Sequence, residues 1–511
     1  MPIQTSRRRF CSLFLGGYAA TLTPGGLLVA AEPAKFSDGF RRTNPDEEDV
    51  SVNGLMAFLD DVDANRFELH SFMLWRHGRV VAEGWWSPYR AERIHMMHSL
   101  TKSVTACAVG LALADGRFGL HDKVISFFKD ELPPKVSDNL AAMTVEDLLT
   151  MRTGHAAMTS GSVWRQIKTS WVAEFFKIPV VYQPGTKYVY TSAATYMLSA
   201  IVTKTTGQAV SEYLKPRVLE PLGITGYEWP LGPNGISPGA NGLSWHTADS
   251  LKLGVLHARE GVWDGKQILP RAWVAAVQAQ HVPGQYGYQW WLGPEGVFYA
   301  NGLFGQFSFV FPNQDAVLAV TAAIPSGGGF VKFLFKHFPA VLSDTALPAA
   351  SRGEIATLKE RDAKLELLPP MKVTGSPLAA RVSGKTFVVE RNEDEVESLR
   401  FDFDSNACRF ELKDDRGAHV IVAGLRERNE SDTTMTGNKL HHEYQPAVMR
   451  VVASGEWRDQ NTFVMTWVFV ESAFRDTVVC RFDGDAVSFE RSVNVNSGPL
   501  ARPVLRGRMQ A

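Results

Sequence analysis

The chain is poor in cysteine and carries no surplus of either charge. Four cysteines occur in 511 residues, at positions 11, 107, 408 and 480, none in a C-x-x-C pair. That excludes a disulfide scaffold and a zinc site built on clustered thiols. Lys and Arg total 53 against 54 Asp and Glu, a net charge of −1. With no basic excess to neutralise a phosphate backbone, nucleic acid is not an expected partner. After residue 31 no apolar run approaches the length of a membrane span, so no transmembrane anchor is expected. H-E-x-x-H, the Walker A string and G-x-G-x-x-G are missing, which leaves metal, nucleotide and dinucleotide chemistry without support. Neither a metal nor an organic cofactor is expected.

What remains is average globular composition, 45% hydrophobic and 21% charged, in a chain long enough for several domains. Residues 1–31 read as an export signal. Ser6-Arg7-Arg8-Arg9-Phe10 is a twin-arginine pattern, an apolar stretch follows, and Val29-Ala30-Ala31 offers a cleavage site. A periplasmic or secreted protein is expected. Cleavage would remove three arginines, no acid, and Cys11. Of the remaining cysteines only Cys408 and Cys480 lie on strands that could pair them, while Cys107 reads as a buried thiol in a helix.

Residues 45–345 mix helices and short strands. A hairpin is expected over 72–86 about His77-Gly78, helices over 99–114, 145–151 and 194–205, and strands over 288–292, 297–299, 307–311 and 316–321. Residues 346–376, with Pro348 and Pro369-Pro370, read as a connector. From 377 to 511 apolar and polar positions alternate in short runs, which predicts an antiparallel β-barrel or sandwich. The fold class is α+β with a C-terminal all-β domain.

The strongest chemical feature is Ser99-Leu100-Thr101-Lys102. Three residues along a helix bring two side chains to one face, so the Lys102 amine can approach the Ser99 hydroxyl. A hydroxyl needs a base to become a nucleophile, and a desolvated lysine can serve. The Ser99 N–H, near a helix N-terminus, points where an oxyanion would develop. The bland alternative is a serine in a first helical turn beside a solvated lysine. Against it, the following helix is apolar nearly all round and hence buried. His98, adjacent in sequence, points elsewhere and is a poor base for Ser99. Asp402, Asp404, Asp414 and Asp415 read as solvated strand and turn residues.

The stretch 98–124, the segment 144–154 and Pro184-Gly185-Thr186-Lys187-Tyr188-Val189-Tyr190 together resemble the serine beta-lactamase/penicillin-binding-protein superfamily, in its class C-like branch of esterases, D-aminopeptidases and 6-aminohexanoate-dimer-type amidases. The resemblance covers about 45–345. It implies an antiparallel sheet flanked by helices plus an all-helical subdomain, and an acyl-enzyme mechanism with Ser99, Lys102 and Tyr190 as catalytic residues. Tyr190-Thr191-Ser192 matches the superfamily's Y-x-S element, with Ser192 lining the site. The Tyr190 phenol, beside a cationic lysine, is expected to have a lowered pKa. The third element, K-T-G or H-x-G in the superfamily, aligns with Ala300-Asn301-Gly302, so the cation is missing. The glycine is expected to admit substrate close to the strand, with the Leu303 N–H as second oxyanion donor. Without the cation, neutral esters or amides become the expected small-molecule substrates. A catalytically silent binding or regulatory protein, a D-amino-acid peptidase or beta-lactamase, and a ligand-binding role for the β-domain are the alternatives.

Overall fold

The computed structural model describes residues 36–510 apart from 160–163, 165, 166, 326, 343–346, 438 and 445. The segment read as an export signal lies outside the described residues. Among the described residues no helix is long and apolar enough to cross a membrane. Asp38–Ala511 form one unit, organised around two sheets.

The first sheet is six-stranded and antiparallel. Its strands are β1 (Leu69–Arg76), β2 (Arg79–Trp85), β3 (Trp291–Leu292), β4 (Phe298–Gly302), β5 (Gln306–Phe311) and β6 (Ala316–Ala322), in the order β2-β1-β6-β5-β4-β3. The β1–β2 hairpin turns at His77 and Gly78, both at positive φ as a two-residue turn requires. The central strands are buried on both sides, and alternate residues feed two cores. Phe72 and Leu74 meet helices α1 (Val52–Ala64) and, later in the chain, Gly327–Val341; Met73 and Trp75 share a core with helix α2 (Thr101–Ala114), helix α3 (Ser192–Thr206) and helix α4 (Thr247–Ala258). Helix α2 is buried almost all round, as its apolar composition demands.

Two expectations need correction here. Of 288–292 only Trp291–Leu292 is strand. Gln289 instead sits at φ 61, fully buried, with its side chain spent on other elements. The connector holds an eleven-residue helix, α5 (Gly327–Val341) being followed by α6 (Arg352–Asp362), which Ser351 and Glu354 cap reciprocally. Its Leu358 is buried, and Arg361 pairs with Asp60 and Asp63 of α1.

The second sheet runs β7 (Lys385–Val389), β8 (Ser398–Phe403), β9 (Ala407–Asp414), β10 (Gly417–Gly424), β11 (Asn429–Thr433), β12 (Met449–Trp457), β13 (Thr462–Phe469), β14 (Arg475–Asp483), β15 (Ala486–Val493) and β16 (Leu505–Met509). The order is β10-β9-β8-β7-β16-β15-β14-β13-β12-β11. A parallel bridge from Gly424 to Ser454 joins β10 to β12 and closes nine strands into a barrel, which decides against the sandwich. Inward positions such as Phe401, Phe410, Trp467 and Phe489 fill it. Cys408 and Cys480 are both buried in this core as free thiols, and Cys107 is a free buried thiol in α2. Asp414, read from sequence as solvated, is buried instead, where Arg416 pairs with it (2.5 Å) and His419 Nε2 hydrogen-bonds it (2.9 Å).

Candidate active site

The segment leading to Ser99 is held from both sides. His95–Met96 pairs with Ser244–Trp245, the Met97 N–H donates to the Leu243 carbonyl (2.9 Å), and the Met96 N–H donates to the Glu471 carbonyl of the barrel (2.9 Å). A single 3-10 turn, His98–Leu100, then runs into α2. Ser99 therefore precedes the helix by two residues, and Lys102 lies one turn on, beneath it. The Lys102 Nζ donates to Ser99 Oγ at 3.2 Å, to Ser192 Oγ at 3.1 Å and to the Ala240 carbonyl at 3.1 Å. All three protons of an ammonium are thereby used, yet none meets a carboxylate. The side chain is 1% exposed, and burial alone pushes its pKa down to about 7.

Tyr190 and Ser192 arrive together at the start of α3. The Tyr190 hydroxyl approaches Ser99 closely enough for that side chain to favour its phenolate form. Its ring centroid is 5.0 Å from the Lys102 Nζ, 5.5 Å from the Trp291 ring and 6.3 Å edge-on from Tyr286. Burial pushes the Tyr190 phenol up to about 12, the nearness of Ser99 offsetting only part of that. The expected lowering does not occur. An aromatic surround disfavours phenolate, and a lysine that titrates near 7 supplies little positive charge to counter it.

The third strand ends beside the nucleophile for a reason other than the one expected. A Cβ on Gly302 would stand 2.1 Å from the Met97 carbonyl oxygen and 2.9 Å from Gln306 Cβ. The glycine is thus required by the close approach of the chain's own backbone, two residues before Ser99. Asn301 and Leu303 flank it, both partly exposed, with Asn301 opposite Phe307 and the Leu303 carbonyl accepting from Gln306 Nε2 at 3.1 Å. Ser99, Lys102, Tyr190 and Ser192 are joined directly by hydrogen bonds or ring contact. Gly302 joins them through Met97, and Asn301 and Leu303 are placed there by the strand that carries it.

Two features were not visible in the sequence. One is the Ala240 carbonyl, third partner of Lys102, delivered by a loop that Thr105 Oγ1 also grips at the Gly239 carbonyl (2.8 Å). The other is Gln289, whose side chain accepts from Thr195 Oγ1 (2.6 Å) and donates to the Leu148 and Leu149 carbonyls, while its own carbonyl accepts from Ser103 Oγ (2.8 Å). It ties α2, α3 and the 145–149 helix into one frame, and a lone glutamine among aromatics gives no warning of that.

Strings alone mislead in two places. S-x-x-K occurs again at Ser126-Phe127-Phe128-Lys129, where both side chains are exposed and Ser126 Oγ merely donates to the Lys123 carbonyl. Gly235-Ile236-Ser237-Pro238-Gly239 spells the nucleophile-elbow string of α/β-hydrolases. Ser237 is nevertheless fully buried, hydrogen-bonded to Ser211, and not between a strand and a helix. A Cβ on Gly239 would meet Ser199 Cβ at 2.7 Å, so the string serves loop packing against α3.

Comparison with known proteins gives the family. A family model described as Beta-lactamase matches residues 61–333. The 6-aminohexanoate-dimer hydrolase of Paenarthrobacter ureafaciens is 23% identical over 55% of this chain and 80% of that protein. The lovastatin esterase of Penicillium rubens is 26% identical over 29% of this chain and 42% of that protein. Among solved structures, the octameric penicillin-binding protein homologue from Pyrococcus abyssi aligns at a TM-score of 0.47 and 15% identity, over 89% of this chain and 99% of that one. The family match spans more than half of the chain and contains every residue gathered around Ser99, so the protein belongs to the Beta-lactamase family and is a serine hydrolase.

Proposed function

We propose that the protein hydrolyses neutral esters or amides through an acyl-enzyme on Ser99. The observation that carries this reading is a buried lysine bonded to two serine hydroxyls with no acid, among the described residues, to keep it charged. At neutral pH a large fraction of Lys102 is free amine and can accept the Ser99 proton as Oγ attacks the substrate carbonyl carbon. The electron pair displaced onto oxygen is held by the N–H groups of Ser99 and Leu303. When the tetrahedral species collapses, the proton on Lys102 passes through the Tyr190 phenol to the departing alkoxide or amine. A phenol held well above neutral pH suits a relay that must stay protonated. Water then attacks the acyl ester by the same steps in reverse.

Neutral substrates follow from the third strand, where Ala300 stands at the position of a cation that would bind a substrate carboxylate and its neighbour Asn301 is uncharged. An esterase and an amidase among the relatives support both leaving groups. The twin-arginine string supports a periplasmic or secreted location.

The test is a fluorophosphonate probe with a panel of p-nitrophenyl esters, nitrocefin and D-amino-acid amides. Wild-type protein is expected to be labelled once and to turn over neutral esters or amides fastest, and Ser99→Ala to lose both properties. Labelling of Ser99→Ala at the wild-type rate overturns the reading.

A further inference from the structure

The barrel reaches the hydrolase site through His442, whose ring lies 6.0 Å from His98 and 6.4 Å from Phe304, and through the turn between β13 and β14. There the Glu471 carbonyl accepts from the Met96 N–H (2.9 Å) and the Ser472 carbonyl accepts from the Tyr89 hydroxyl (2.9 Å). Arg475 (2.6 Å) and Asn494 (2.8 Å) both donate to Glu68, just before β1. At the centre of this turn Phe474 is fully buried. Its ring lies 6.3 Å edge-on from His98 and 5.7 Å from Phe304, which are themselves 5.4 Å apart, and its far face stacks on His441 at 4.5 Å.

His98 and Phe304 are unusual in the same way. Each holds a left-handed backbone, at φ 47 and φ 65, that residues with a Cβ rarely adopt. Each is also the immediate neighbour of a proposed oxyanion donor, His98 preceding Ser99 and Phe304 following Leu303. Strained backbone of this kind persists only where its surroundings fix it; two rings touch both residues, Phe474 and His442, and of these Phe474 is the fully buried one.

We infer that Phe474 is a positioning residue for the hydrolase: by packing against His98 and Phe304 together it holds the two turns that aim the Ser99 and Leu303 N–H groups at one point. The barrel is then part of the catalytic apparatus without touching substrate. This rests on the proposed acyl-enzyme reading, because only that reading gives the two N–H groups a shared task.

The experiment compares Phe474→Ala and the milder Phe474→Leu with Phe401→Ala, which removes a ring from the barrel core away from this contact. Kinetics on the best p-nitrophenyl ester, the rate of fluorophosphonate labelling and thermal midpoints are measured for each. The expected result is a loss of kcat of about ten- to a hundredfold for Phe474→Ala with KM within about twofold, slower labelling in step, and recovery in Phe474→Tyr. Phe401→Ala is expected to lose thermal stability while keeping the wild-type kcat. Should Phe474→Ala fail to fold, the same split in Phe474→Leu supports the inference. Wild-type kcat in the folded Phe474 variants, or an equal loss in Phe401→Ala, overturns it. Absence of Ser99-dependent labelling in the wild type would instead remove the underlying reading.

Discussion

Inside the barrel Asp476 is fully buried, and it is met by a cation and a ring nitrogen: Arg491 Nε at 2.7 Å and His441 Nε2 at 2.6 Å, with Arg491 also donating to the Thr436 carbonyl. Burial alone would raise the Asp476 pKa, but these partners bring it below its ordinary value. In the hydrolase site Lys102 is buried just as deeply with three neutral oxygens and, among the described residues, no counter-ion. The first arrangement fixes a charge so that it stays constant across neutral pH. The second leaves a charge free to come and go. Depth of burial is the same in both, so the presence or absence of a paired charge is what separates a structural group from one poised to exchange a proton.

The sharpest way to break this contrast is to remove each group in turn. Lys102→Met is expected to lower turnover roughly a thousandfold while making the protein more stable at pH 7. The sign follows from the lowered pKa. Between about 7 and the ordinary 10.5 the unfolded chain holds a proton that the folded one has shed, so wild-type stability rises with pH across that window. The gain in Lys102→Met is therefore largest below pH 7 and vanishes above 10.5, which melting curves from pH 6 to 11 would show. Turnover of the wild type is expected to rise through a midpoint near 7 as the amine becomes free. A profile flat from pH 5 to 9 would remove Lys102 as the base.

Asp476→Asn should do the reverse. Leaving Arg491 buried without its partner is expected to cost about 3 to 5 kcal/mol of stability, read from urea unfolding, with no new pH dependence of turnover near 7. The smallest change sharpens the point on the cleft side. Asn301→Lys places a cation on the third strand, one residue after the position the superfamily's cation occupies, and is expected to raise kcat/KM for carboxylate-bearing substrates such as nitrocefin by about tenfold relative to a neutral ester.

The cluster proposed to be catalytic was legible where it is local. Ser99 and Lys102 are three residues apart across the turn that opens α2, and Tyr190 and Ser192 two apart at the head of α3, so spacing alone could bring each pair together. What was hidden depends on contacts far apart in sequence. The Ala240 carbonyl is a backbone atom in a loop, and Gln289 works through three other segments. Gly302 answers to a carbonyl some two hundred residues upstream. Barrel strands announced themselves by alternation, whereas closure did not, because it rests on one bridge between Gly424 and Ser454. The Tyr190 pKa went the other way from expectation because its environment is set by Trp291 and Tyr286, which the motif does not contain.

The three oxygens around Lys102 are not equivalent once its ammonium becomes an amine. Two N–H groups remain and one lone pair appears, and that lone pair must face a donor. The Ala240 carbonyl has no hydrogen to offer, so its contact keeps an N–H permanently. Only Ser99 and Ser192 carry a hydroxyl that can turn round. Deprotonation therefore presents a choice between two serines, and the residue at 192 governs how often the lone pair finds the one that reacts.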